Sequence, residues 1–456
     1  MRNYILTSVF FSFFLFSFLI SNQWNNPTPI VTDYQASDGQ YASNISMIYD
    51  PNSQQLIAAW SGANSFPYYA TFNGINWVSH GPINRSTCVL SNISLCYDPI
   101  SNQIIAAWID TASNAHPQYA TFDGNIWSAK GVISEFECAG FNISTCHNKI
   151  INQIISIWTD INYNLRYSLF DGKIWHDQEP TNCSSILFDI NCCSFSNSSS
   201  ILATWRKGDY PYFSIFNGTT WADALPISNN KISSFNISCS FNNLSHLAFA
   251  FFSDELNYPA FSIFDGHTWS NVKRVTELSR VGRNILATYS PKLNQTILSW
   301  TDLQSHTPHS ALIDEMNVQN YLEISVDHQT LFYYDETSVF FNPTGTVFAS
   351  WIDSSGYPFF SSYGTPTEPP THFEGYQIVN DFGLTKEYTN VINWTPSTSN
   401  DVVGYEIFKD NLFIKKVNFK TFKLEDHNQP KNKKTTYSIY AINLFGGRSS
   451  CKSIII

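Results

Sequence analysis

YATFNGINW (69–77), YATFDGNIW (119–127), YSLFDGKIW (167–175), FSIFNGTTW (213–221) and FSIFDGHTW (261–269) are five versions of one sentence. Their closing tryptophans, Trp77, Trp127, Trp175, Trp221 and Trp269, are 50, 48, 46 and 48 residues apart. A fixed period of that size means a repeat array or a propeller before any local element is assigned. A second series runs beside the first: apolar runs such as QQLIAAW and NQIIAAW bring an aromatic to Trp60, Trp108, Trp158, Trp205, Phe252, Trp300 and Trp351, which makes seven units.

Each unit reads as four strands. SNISMIYDP (43–51) is a first strand, the apolar run a second, the YATF-type segment a third, and a fourth starts near the terminal Trp. Asn73-Gly74, Asp123-Gly124 and Asp265-Gly266 predict two-residue hairpin turns, because these residues tolerate positive φ. Asp50-Pro51 and Asp98-Pro99 turn the chain between the first and second strands. The second strands are apolar throughout and not alternating, as strands covered on both faces require.

The ends of the array give a check. The seventh unit stops after its third strand, YPFFSSYGTP (357–366), while an orphan NQWNNPTPIV around Trp24 resembles the fourth-strand segments INWVSHGPI and TTWADALPI. If the early segment completes the last sheet, the ring closes and its open edges disappear. The expectation is therefore an all-β chain: a seven-bladed β-propeller at 22–366, closed by its N-terminal strand. The sixth unit lacks the Gly turn, having Asp314-Glu315, and lacks the Trp, so it should be the least regular.

TEPP, within a linker at 367–371, reads as stiff chain. VINWTPS with Trp394, VVGYEIFKD with Tyr405, and TYSIYAINLFGGRS with Tyr437 then resemble a fibronectin type III domain at 372–456, which implies a seven-stranded sandwich. Charge changes at the same place: of 25 basic and 36 acidic residues, 11 and 8 fall in 371–456, leaving 14 and 28 before it. The acidic larger part argues against nucleic acid as a partner.

Residues 1–21 carry Arg2 ahead of an apolar stretch from Tyr4 to Ile20, the pattern of a secretory signal or, if uncleaved, a membrane anchor. The expected location is secreted or at the cell surface. Nine cysteines agree with an oxidising compartment. The expected bridges are local: Cys88 with Cys96, Cys138 with Cys146, and Cys183 with one of the adjacent Cys192 and Cys193, Cys193 being the first choice. Neither of the first two pairs has zinc-site spacing, so no metal or cofactor is expected.

The F-D-G-x-x-W-S segments resemble the sialidase Asp-box, although Asp and Gly are adjacent here. In that family the box is a structural turn far from the active site, so the resemblance implies a propeller and says nothing of catalysis. A sialidase also needs three arginines on a carboxylate, and Arg85, Arg166, Arg206, Arg274, Arg280 and Arg283 recur at no common place in the repeat. No nucleophile elbow, zinc-protease or phosphate-loop motif is present.

The stronger candidate is a recurrent loop. Five second strands end in an acid two residues past the aromatic, Asp110, Asp160, Asp254, Asp302 and Asp353, with Tyr68, Tyr163, Tyr210, Tyr258 and Tyr357 nearby. On the face with the longer connectors, a ring of carboxylates is a candidate site for sugar hydroxyls, a cation or basic side chains. The competing role for each Asp is to cap its own turn. The expectation is a non-catalytic recognition or adhesion protein that binds a glycan or an extracellular protein, with a sialidase-like hydrolase as the alternative.

Overall fold

A computed structural model of the chain describes residues 23–31, 42–62, 65–74, 76–110, 115–139, 142–178, 181–186, 188–233, 237–314, 317–325, 330, 337–343, 345–364, 367–383, 385–399, 402–443 and 447–456. Residues 1–21, read above as a signal, together with Glu315, Pro366 and the stretch from Leu444 to Gly446, lie outside them. Among the described residues the fold is all-β, built from repeated four-stranded antiparallel sheets.

The first sheet shows the pattern: Ser43–Asp50, Gln55–Ser61, Pro67–Phe72 and Trp77–Pro82 pair in chain order. Five further sheets repeat it, with first strands Val89–Asp98, Ser144–Asn148, Phe188–Ser194, Ser238–Asn242 and Val281–Ser290. The seventh contains Ser338–Phe341, Val347–Ile352 and Pro358–Gly364. First strands of all seven sheets line one axial space, so the sheets surround a common axis.

The early segment does complete the seventh sheet. Trp24 lies opposite Tyr363, and Thr28 opposite Phe360. Trp24 thereby takes the place that Trp77 holds opposite Phe72 in the first sheet.

The tryptophans explain the period. Each fourth-strand Trp packs edge-on against a third-strand aromatic of the preceding sheet: Trp127 on Tyr69, Trp175 on Tyr119, Trp221 on Tyr167 and Trp269 on Phe213. Trp77 makes the same contact with Phe360 of the seventh sheet, at 5.3 Å between centroids, so the relation runs across the closure. In the sixth sheet Ser310 stands at the aromatic's place, and the Trp24 indole N–H donates to its hydroxyl at 2.8 Å.

The turns differ in part from the expectation. Phe122 pairs with Trp127, so four residues and not two form the loop. The Asp123 carboxylate caps it by accepting the Asn125 and Ile126 N–H groups at 2.9 Å, and only Gly124 has positive φ, at 99°. The Asn-Ile-Ser segments on first strands serve the contact between sheets: the Ser94, Ser144 and Ser238 hydroxyls accept the N–H groups of Thr145, Cys192 and Ala287 in the following sheets. Asn236 lies outside the described residues.

The sixth sheet carries two register shifts between its first and second strands and one between its third and fourth, while the first and second sheets also carry shifts at both of these places. The buried His309 of the sixth sheet stacks on Trp300 and Tyr321, and Tyr321 hydrogen-bonds its Nδ1 at 2.9 Å. Burial lowers the His309 pKa, against the opposing pull of Glu323 and Asp302. The unfolded chain therefore takes up this proton near the ordinary pKa of about 6.5, before the folded chain does, and acid favours unfolding. Wild type should lose stability below that pH more steeply than His309→Gln, as read by urea midpoints across a pH series.

The C-terminal part forms two sheets, Thr371–Asp381, Lys386–Thr395 and Lys423–Asp426 in one, and Val402–Lys409, Leu412–Asn418, Thr436–Asn443 and Lys452–Ile455 in the other. Trp394, Tyr405 and Tyr437 are buried together between them. The Tyr437 hydroxyl donates to Asp426 at 2.5 Å and accepts from Asn390 at 3.0 Å. This part is tied to the closing segment: the Asn26 amide side chain donates to the Ser449 carbonyl, and Lys416 donates to Asn76 of the first sheet.

Candidate functional site

The connectors between sheets gather on one face. The turn after each second strand carries a residue in the left-handed region, among them Ala115, Tyr163, Asn257 and His306. Carbonyls of those turns accept N–H groups from the outgoing connectors: Ala115 from Cys138, Tyr163 from Ile186, Asn257 from Val281 and His306 from Thr330. Gly356 accepts from Ala42 in the same way across the ring closure. Three connectors then pair with the next sheet, in the bridges Cys138–Asp160, Ile232–Asp254 and Thr330–Asp353.

All five predicted acids sit in this layer, chiefly as caps. Asp160 Oδ1 accepts the Asn162 and Asn164 N–H groups, each at 2.9 Å, and its Oδ2 pairs with Arg166 Nε at 3.0 Å. Asp254 holds the Leu256 and Tyr258 N–H groups and pairs with Arg274 at 2.6 Å. Asp353 holds those of Ser355 and Tyr357. Asp110 reaches the connector by accepting the Cys88 N–H at 2.8 Å.

Asp302 caps its turn through the Gln304 and Ser305 N–H groups and meets Ser279 and the Arg280 N–H with its other oxygen. Burial raises its pKa, but these donors prevail and hold it at about 2. Asp110, Asp160, Asp302 and Asp353 are all buried. The structure thus builds a set of turn caps and not an open ring of acceptors.

One recess on this face joins chemically diverse groups. Tyr258, Glu277, Leu278, Arg280, Asp302 and Gln304 line about 220 Å³ between the fifth and sixth sheets. The Tyr258 ring organises it: the Arg274 guanidinium lies 4.6 Å and the Arg280 guanidinium 5.3 Å from its centroid. Arg274 is held by Asp254 and by Glu277 at 2.7 Å, while Leu278 is 82% exposed at the rim. The recess offers a cation, amide and carboxylate oxygens and an apolar rim within a space suited to one small ring.

Sequence reasoning named Tyr258 and Asp302, set Arg280 aside as an arginine that does not recur in the repeat, and missed Glu277 and Gln304. The available signal was RVTELSR (274–280), a charged cluster in a charge-poor repeat region. Arg166 lies over Phe136 in the layer between the second and third sheets, and Arg206 pairs with Asp209 in the fourth, away from the pair on Tyr258.

The structure joins none of the expected pairs by a disulfide. Cys88 is hydrogen-bonded at Asp110 and Cys96 lies opposite Ile105, five residues along one strand. Cys138 and Cys146 lie opposite Asp160 and Ile155, again five residues apart. Five residues of strand span about 16 Å, far beyond the reach of a disulfide. Cys183 meets the Ala222 carbonyl at 3.7 Å, whereas Cys193 lies on a first strand opposite Leu202.

No protein-family model and no curated protein matches the chain. Among solved structures, SapL1 lectin in complex with α-methyl fucoside is similar at 14% identity, covering 62% of this chain and 97% of that one, with a TM-score of 0.44. AofleA from Arthrobotrys oligospora gives 13% identity, 63% and 87% coverage and a TM-score of 0.46. The Aleuria aurantia lectin, described as a six-bladed β-propeller with a novel fucose recognition mode, gives 13%, 51% and 77%, and 0.40. Likeness at this level fixes neither the number of blades nor the ligand of this chain.

Proposed function

We propose that this chain is an exported, non-catalytic glycan-recognition protein: a seven-bladed β-propeller at 22–366, a linker at 367–371 and a fibronectin type III-like domain at 372–456. The recess on the connector face is the sugar site. Arg280 and Gln304 donate to hydroxyls, Glu277 and Gln304 accept from them, and Leu278 covers an apolar ring face. The observation that carries the reading is the convergence of Tyr258, Glu277, Arg280 and Gln304 on one small recess. The C-terminal domain acts as a spacer or adhesion module.

The test is a panel of neutral, fucosylated and sialylated glycans, read both for binding and for release from fluorogenic glycosides. Arg280→Ala and Gln304→Ala should weaken binding, the former by about tenfold or more, as loss of a charged hydrogen bond implies. Turnover of a glycoside, or binding unchanged by both substitutions, would refute the assignment.

A further inference from the structure

The cysteines do meet, but across sheets. Successive residues of a strand point to opposite faces, so an adjacent pair on a first strand addresses both neighbouring sheets. Cys192 belongs to an apolar cluster with Cys146 packed against it, between the third and fourth sheets. Cys239 belongs to the next cluster, between the fourth and fifth sheets, with Cys193 packed against it.

The two encounters share one geometry. Cys192 N–H donates to Ser144, two residues before Cys146, and Cys239 N–H donates to Asn191, two residues before Cys193. Both pairs are 46 residues apart. Elsewhere the same places hold Ile48 with Leu95 and Phe340 with Met47, ordinary apolar contacts. The Cys192 sulfur lies 3.4 Å from the Ser144 hydroxyl and the Cys239 sulfur 3.4 Å from the Asn191 side-chain oxygen, so each thiol sits against the first strand that carries its partner.

We propose that Cys192 and Cys193 each form a disulfide to a neighbouring sheet, Cys192 with Cys146 and Cys193 with Cys239. Each bridge forms as two thiols lose two protons and two electrons, the electrons passing to a small-molecule or protein disulfide that becomes two thiols. Contact with its partner and burial raise the Cys146 thiol, and burial raises that of Cys193. The reactive thiolate is therefore scarce once the chain has folded, and bridging belongs to the folding stage. Cys96 occupies the same place as Cys146, but Thr145 stands opposite it, so it remains a thiol.

The test refolds the full chain in mixed oxidised and reduced glutathione, blocks thiols with a maleimide and maps tryptic peptides without reduction. Peptides 131–149, 174–206 and 232–273 should travel as one species that a reductant separates. Cys192→Ser should release only 131–149, Cys193→Ser only 232–273, and Cys183→Ser neither. Maleimide on Cys146, Cys192, Cys193 and Cys239 in the refolded wild type would overturn the proposal, as would the opposite release pattern. The wild-type map stands even if a variant fails to fold.

Discussion

Replacing Trp24 by Ala is expected to cost about 3–5 kcal/mol of folding stability, the range for deleting a buried large aromatic. Trp24 is 8% exposed and shares a cluster with Ile297, Leu312, Val339 and Trp351, so it fills the space between the sixth and seventh sheets. It also supplies the hydrogen bond to Ser310, which lies 286 residues away in sequence. Trp24→Phe keeps most of the packing but loses that bond, and should cost clearly less. Urea unfolding followed by tryptophan fluorescence separates the two, and a near-neutral Trp24→Ala would mean that the early strand contributes little to the ring.

Asp160→Ala should be nearly as damaging, at about 3–5 kcal/mol, because removing one partner of a buried ion pair strands the other. The Asp160 side chain is 4% and that of Arg166 15% exposed, and two turn N–H groups lose their acceptor in the same step. Asp254→Ala provides the contrast. Leu256 and Tyr258 also lose their acceptor here, but Arg274 is 35% exposed and keeps Glu277 as a partner, so the loss should be clearly smaller than at Asp160. Denaturation midpoints would show the gradient. Equal and small losses at both sites, together with a large loss of glycan binding, would restore these carboxylates as ligands.

The fold was largely legible because its signals lie within single units. The Trp repeat, the apolar second strands and the unpaired segment at Trp24 each report strand position without knowledge of the rest of the chain. What escaped was the relation between units. Cys88 and Cys96 look like partners by sequence distance, yet they lie along one extended strand, while Cys192 and Cys146 become neighbours only when two sheets stack. The carboxylates escaped for a similar reason. Asp at a strand end has the same appearance whether it caps a turn or faces a ligand, and only the positions of the Asn162, Leu256 and Ser305 N–H groups distinguish the two. Arg280 and Gln304 come from different parts of the sixth unit, and no spacing rule connects them.

The claim that supports the rest is that residues 23–24 form the outermost strand of the sheet containing residues 358–364. Gln23 lies opposite Gly364, and a Cβ built on Gly364 meets no atom within 4 Å. In a Gln23→Cys, Gly364→Cys double variant, non-reducing mapping should find the two engineered cysteines joined in a chain that keeps wild-type stability or gains some. If they remain separately alkylatable in the folded protein, the early strand is not in that sheet and the ring is not closed as described.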